Sequence, residues 1–203
     1  DAYAMLADST EVKKEINYFK DHIGGTKNIH IVIKDKNSNF NDPASLKLLW
    51  DIQEELSRVN GVVHIESFAA MMALLNREMI SGKEEDYKVP TSKNLIAQYM
   101  LTLSRDDLDP LISTDKKTIN IKVAHDISSS RETARLVKDL KSVVGAKLSE
   151  DYEYHLTSRN ILNLHAAYTI VEGQFSSLIT MAAIIVIMLS LFFKSLKLGF
   201  ISL

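Results

Sequence analysis

The sequence predicts an α+β fold followed by a membrane-spanning helix, and three observations carry that expectation. First, Asn28–Lys34 (NIHIVIK) and Thr118–Ala124 (TINIKVA) alternate between isoleucine or valine and other residues. Alternation with a period of two puts the apolar side chains on one face, the mark of a half-buried strand. Second, each of these runs is followed by a segment with helical spacing and then by another short strand-like run. Third, Gly173–Phe193 (GQFSSLITMAAIIVIMLSLFF) holds no charged residue. As an α-helix it extends about 31 Å, the thickness of a bilayer's hydrocarbon core.

In chain order, the first element expected is a helix capped by Ser9 or Thr10, with Val12, Ile16, Phe19 and Ile23 at helical spacing. Gly24-Gly25 ends it, because glycine accepts the left-handed conformation that closes a helix. After the strand Asn28–Lys34, Asp42-Pro43 is a helix start. The aspartate accepts a free N–H of the first turn, and proline has no N–H to leave unpaired there. Leu46, Leu49, Ile52, Leu56 and Val59 form the inward stripe of helix Pro43–Val59, Gly61 stops it, and Val62–Ser67 is the second strand. The order then repeats. After Thr118–Ala124, Ser128–Ser130 cap a helix whose Ala134, Val137, Leu140 and Val144 face inward and which Gly145 closes; Asp151–Leu156 is the fourth strand. Two β-α-β units in tandem give the ferredoxin-like order, a four-stranded antiparallel sheet with two helices on one face. Strands one and three are central neighbours in that arrangement, which sets Ile29, Ile31 and Ile33 against Ile119, Ile121 and Val123.

The link between the second and third strands is no hairpin but Phe68–Lys117, long enough to be a small functional subdomain. It divides into an apolar helix Phe68–Ile80, a charged loop Ser81–Lys88, and a second helix from Ser92 to Leu103. Of the seven methionines, Met71, Met72, Met79 and Met100 lie here. Methionine's flexible, polarisable side chain suits surfaces that accept varied apolar ligands. Phe68, Met71, Met72, Leu75, Met79 and Met100 are therefore the candidate substrate contacts. The competing reading is that they pack the two insertion helices together.

Beyond the fourth strand, Arg159–Glu172 keeps helical spacing through Ile161, Leu164, Tyr168 and Val171 and runs into the apolar span as one helix. Gly173 at the junction costs about 1 kcal/mol against alanine. Lys194 and Lys197 follow the span, and basic residues mark a cytoplasmic end, which places residues 1–172 on the extracytoplasmic side. The expected organisation is a domain over 1–158 with its helical insertion at 68–117, a long helix at 159–193 containing the span 173–193, and a cytoplasmic turn with the start of a next membrane helix at 194–203. With the apolar run LGFISL after the lysines, the chain looks like a piece of a larger membrane protein.

Composition narrows the function. Lys and Arg number 24 against 26 Asp and Glu, a net charge of −2. Nucleic-acid binding calls for a clustered basic face, which the interspersed charges do not provide. No cysteine is present, so disulfides and thiolate metal sites are excluded. His22, His30, His64, His125, His155 and His165 are scattered without metal-ligand spacing and are expected at the surface; His30, His64 and His155 fall on strand faces opposite the apolar runs. Asp106, Asp107 and Asp109 lack the twelve-residue calcium loop and, with Pro110 after them, fit a turn. There is no nucleophile elbow, phosphate loop or dinucleotide fingerprint. Neither enzymatic activity nor a bound cofactor or metal is expected.

Taken in order, the pieces resemble one family. The helix ending Gly24-Gly25, NIHIVIK, the Asp42-Pro43 start, Gly61-Val62-Val63, the stretch Leu95–Ser129 (LIAQYMLTLSRDDLDPLISTDKKTINIKVAHDISS), and EGQFSSL leading into a membrane helix closed by Phe-Phe-Lys-Ser-Leu-Lys-Leu-Gly are together similar to the resistance-nodulation-division (RND) superfamily of transporters, specifically its MMPL-like exporters. The resemblance covers essentially the whole chain. It implies the first extracytoplasmic porter domain, between transmembrane helices one and two, with helix two attached, in a multi-pass protein of the bacterial inner (plasma) membrane. It further implies export of lipids or other hydrophobic and amphiphilic compounds, driven by a proton or other ion gradient. The partners implied are the lipid bilayer, an amphiphilic substrate, the rest of the transporter with its second porter domain, and further copies in a homo-oligomer. Ser158 departs from the glycine that often follows the fourth strand in that family. The family's ion-carrying residues sit in later membrane helices, so no coupling residue is named. An alternative from another class is a membrane-tethered protein-interaction module with the same fold. An apolar span before Asp1 and several after Leu203 in the full gene product would distinguish the exporter from it.

Overall fold

The structure, a computed structural model of the chain, describes residues 27–127, 129–194 and 197 together with 10–12, 14, 15 and 18, and for 130 and 159–168 the backbone alone. The fold is α+β. In order it comprises β1 (Lys27–Asp35), α1 (Pro43–Ser57), β2 (Val62–Glu66), α2 (Phe68–Ile80), a 3-10 turn (Glu84–Asp86), α3 (Lys93–Thr102), α4 (Arg105–Leu108), β3 (Thr118–His125), α5 (Ser130–Lys147), β4 (Tyr152–Thr157) and α6 (Arg159–Phe193). At the start, Glu11, Val12, Lys14, Glu15 and Tyr18 are helical. Ile16, Phe19, Ile23, Gly24, Gly25 and His22 lie outside the described residues, as do Ser128, the side chains of Ile161, Leu164, His165 and Tyr168, and residues 198–203.

The strands form one four-stranded sheet in the order β2-β3-β1-β4. All three pairings are antiparallel. The central pair sets Ile29 opposite Val123, Ile31 opposite Ile121 and Ile33 opposite Ile119, and all six side chains are buried. One face of the sheet is thus a continuous aliphatic layer. Leu46, Leu49, Ile52 and Leu56 of α1 and Leu136, Leu140 and Val144 of α5 complete the same core. Burying each such side chain contributes about 1.5–3 kcal/mol. On the other face, His30 Nδ1 lies 3.2 Å from Asn120 Oδ1, and Lys122 Nζ pairs with Glu66 at 3.0 Å.

α1 begins as its sequence dictates. Asp42 Oδ2 accepts from the Ala44 N–H at 3.1 Å, and Pro43 opens the helix. Gly61 adopts φ +93°, a left-handed conformation that favours glycine, and a Cβ there would stand 2.7 Å from the tip of the Ile127 side chain, which would have to shift. α5 corrects two expectations. Its inward face is Thr133, Leu136, Leu140 and Val144, while Ala134 is exposed and Val137 half-buried. The leucines and valine at four-residue intervals bury far more apolar surface than an alanine can, and they set the helix rotation. Gly145 does not close the helix, which continues to Lys147. A Cβ on Gly145 would lie 2.9 Å from Tyr154 Oη, so the glycine serves the approach of that ring.

The chain divides into two compact units, Asp1–Arg159 and Asn160–Leu203. The second is built on α6. Its stretch Thr169–Phe193 is long enough to cross a membrane, and the most apolar window within it has a mean hydropathy of 2.4 with 6% of that window buried. Phe175, Leu178, Met181, Ile184, Met188, Leu191 and Phe192 are all exposed. A helix that is apolar on every side and has no protein cover fits a lipid environment better than water. α6 is therefore a candidate membrane span.

Candidate functional site in the helical insertion

The insertion leaves the sheet at Ser67, whose Oγ caps α2 by accepting the Ala70 N–H at 3.0 Å and donates to Gln53 Oε1. Phe68, Ala69, Met72, Ala73 and Asn76 form the buried face of α2. Asn76 holds the subdomain together: its Nδ2 donates to the Asp86 carbonyl at 2.9 Å, and its Oδ1 accepts from Tyr99 Oη of α3 at 3.2 Å. Buried amides are rarely left unpaired, and this one links three elements. Burial raises the pKa of the Tyr99 hydroxyl above the ordinary tyrosine range. Tyr87 packs edge-on against Trp50 at 5.5 Å and lies under the Arg77 guanidinium, tying the charged loop to α1.

A short helix follows where the sequence predicts a turn. Ser104 and Asp107 form a reciprocal capping box that starts α4. The serine hydroxyl and N–H hold the Asp107 carboxyl below the usual carboxylate range. Residues 109–117 then strap back onto the sheet. Asn120 donates from its backbone to the Leu111 carbonyl and from Nδ2 to the Pro110 carbonyl, both at 2.9 Å. Ile112 bridges Ile119, and Ser113 N–H donates to the Thr118 carbonyl at 2.8 Å. Lys116 sits at φ +61°. Its carbonyl accepts from the Phe40 N–H at 2.9 Å, which fixes the strained residue against the loop after β1. The Ser113 hydroxyl and the Lys117 N–H hold Asp115 low.

α3, α4 and this strap enclose a half-open groove of about 500 Å³, within the range of about 300–1,000 Å³ for small-molecule sites. Met100, Leu101, Leu103, Leu108 and Ile112 line it, with Arg105 and Lys116 as its charged residues. Arg105 Nη1 lies 3.4 Å from Thr114 Oγ1 and 3.5 Å from Asp109 Oδ1. The pair is exposed and long, so it holds the guanidinium only weakly.

The six candidate contacts named from the sequence do not share one surface. Phe68 and Met72 are fully buried core residues. Met71, Leu75 and Met100 are half-buried against that core. Met79 is 57% exposed. Met100 alone of the six lines the groove. Leu101, 86% exposed on the neighbouring position, was missed because an exposed leucine carries no sequence signal by itself.

The histidines also divide. His64 and His155 are exposed and His30 half-buried on the open sheet face. His125 overturns the expectation of a surface residue: it is fully buried at the end of β3, and neither ring nitrogen has a hydrogen-bond partner. Burial, then the Lys27 charge, lowers its pKa, against a smaller upward pull from Asp126. Among the described residues no cluster of three or more His, Cys, Asp or Glu could hold a metal ion. No protein-family model matches the chain, and no curated protein matches it.

Proposed function

We propose that the chain belongs to an ion-gradient-driven exporter of the RND superfamily, of the MMPL-like kind, and that its first unit is a porter domain handling hydrophobic or amphiphilic substrate outside the membrane. The observation that supports this reading best is a combination. The sheet order β2-β3-β1-β4 is compatible with a ferredoxin-like β-α-β-β-α-β fold, a helical subdomain lies between β2 and β3, and one residue after β4 begins the helix that carries the apolar span. In this reading α6 is the second transmembrane helix of a multi-pass inner-membrane protein. Substrate would pass the porter unit while ion movement in further membrane helices drives alternating access.

Topology tests it. Lys147 and Lys197 are both exposed, so a cysteine at either position is accessible to reagent on its own side of the membrane. In whole cells, Lys147→Cys of the full-length protein should react with a membrane-impermeant maleimide and Lys197→Cys should react only after permeabilisation. The reverse pattern would overturn the reading.

A further inference from the structure

We infer that the groove between α3, α4 and the 109–117 strap binds a single-chain anionic amphiphile, with its chain against Met100, Leu101, Leu103 and Leu108 and its head group between Arg105 and Lys116. The inference names a substrate class for the porter unit and in that respect rests on the exporter reading, while its geometry stands on the groove alone.

Three features select this occupant. The apolar part of the lining is aliphatic and thioether with no aromatic residue, and its uncharged polar residues, Ser113 and Thr114, are not buried. Leu101 keeps 86% of its surface in solvent at the groove, a position that gains from an apolar chain laid over it. The charged residues lining the groove are both cations: Arg105 of α4 and Lys116 of the strap. The nearby carboxylates of Asp107 and Asp115 do not line it and are occupied by Ser104 and Ser113. Lys116 has no carboxylate within ion-pair distance among the described residues. Arg105 has two long contacts, to Asp109 Oδ1 at 3.5 Å and to Thr114 Oγ1 at 3.4 Å. A carboxylate or phosphate placed between the two would accept shorter charge-assisted hydrogen bonds than the long contacts Arg105 makes there. The left-handed backbone of Lys116, pinned by Phe40, holds that cation's Cα in place rather than leaving it on a free loop.

The test uses the 203-residue chain in nanodiscs of neutral phosphatidylcholine, photolabelled with a diazirine analogue of palmitic acid and mapped by mass spectrometry. Labelling should fall on Met100, Leu101 or Leu108. Palmitate, as a carboxylate, and lysophosphatidic acid, as a phosphate, are the two competing head groups; competition by either supports the site, and the better competitor identifies the head group. Hexadecanol should compete at least tenfold more weakly. The double variant Arg105→Gln, Lys116→Gln should lose at least tenfold in labelling. Leu101→Asp, exposed and therefore harmless to folding, should abolish it with unchanged Trp50 fluorescence. Labelling confined to Thr169–Phe193, hexadecanol equal to palmitate, or labelling indifferent to both sets of substitutions would each overturn the inference. Binding is measured without transport, so a failed site leaves the exporter reading to its own topology test, and a failed topology leaves the site measurable.

Discussion

The β1–β3 pair and the helical insertion have similar shares of apolar residues and use them differently. In the strands every isoleucine and valine of the alternating set goes to one face and is buried. In the insertion the apolar residues spread round the helices, so Phe68, Met72, Ile96 and Tyr99 are buried while Met79, Ile80 and Leu101 are exposed. Strand pairing permits only two faces, and a slip of one residue would exchange them completely. A helix that is apolar on several sides leaves its rotation to the rest of the fold. The lesson is that composition marks the insertion as greasy, but only packing decides which part of it is core and which is free to bind.

The largest expected effect breaks the sheet side of this comparison. Ile31→Asp places an unpaired carboxylate in the aliphatic layer opposite Ile121 and should cost at least about 3 kcal/mol, since burying a charge without a partner is among the most expensive changes available. Leu101→Asp in the insertion should stay within about 0.5 kcal/mol of wild type. Denaturant unfolding of the chain in detergent micelles, followed through its single tryptophan, Trp50 of α1, measures both. An unchanged midpoint for Ile31→Asp would mean that the sheet's apolar face is not the core.

Next in size is a contrast inside the insertion. Met72→Ala removes a fully buried side chain and should cost about 2–5 kcal/mol. Met79→Ala, at an exposed position, should change stability by less than about 0.5 kcal/mol. Equal effects on unfolding would erase the distinction between packing and free methionines. Loss of transport by the full-length protein with Met79→Ala, at normal abundance, would return that residue to the substrate-contact set.

Much of this was legible in the sequence, and its gaps have physical causes. Period two located β1 and β3, and the Asp42-Pro43 signal located the start of α1 to the residue, though the helix ends at Ser57 rather than at Val59. The Ser104-to-Asp107 capping box was also there to be read, but four residues are too few for helical periodicity to show. His125 continues the Ile119, Ile121, Val123 alternation, so the pattern itself puts it on the core face; its polarity is what suggested the surface. The groove was not legible. It brings together residues from Ala97 to Lys116 on three elements, and no local pattern encodes a concavity made by a strap folding back onto a strand.

The buried His125 gives a smaller, pH-dependent effect on the sheet side. Its pKa lies below the ordinary histidine value of about 6.5 when folded, so the unfolded chain binds more protons as pH falls through that region. Stability is complete above that value and falls on acidification, with a slope from this group of up to about 1.4 kcal/mol per pH unit, until the folded pKa is passed. Asp86, Asp107 and Asp115, held low by serine hydroxyls first of all, contribute stability that is lost only below the ordinary carboxylate value of about 4. The interval from pH 7 to 5 therefore separates His125 from these carboxylates. His125→Leu should flatten the unfolding free energy over that interval. A slope identical to wild type would show that the ring is protonated without penalty.

The smallest effect tests whether the sheet and its covering helix are as tightly fitted as the central strands. Gly145 lies inside α5, where alanine would be favoured by roughly 0.8–1.0 kcal/mol on helix propensity. Against that gain, the new Cβ would stand 2.9 Å from Tyr154 Oη, closer than van der Waals contact allows. The hydroxyl is the far end of its side chain, and among the described residues its partner is the Lys141 carbonyl at 3.5 Å, at the edge of hydrogen-bonding range, so little is lost if it is removed. Gly145→Ala alone should consequently be close to neutral, propensity gain and steric cost offsetting each other. In a Tyr154→Phe background the obstructing oxygen is gone, and the same substitution should stabilise by several tenths of a kcal/mol up to about 1 kcal/mol. The double-mutant cycle measures the difference directly. Equal effects in the two backgrounds would mean that β4 and α5 are separated by more than this contact implies, and that Gly145 has no packing reason to be glycine.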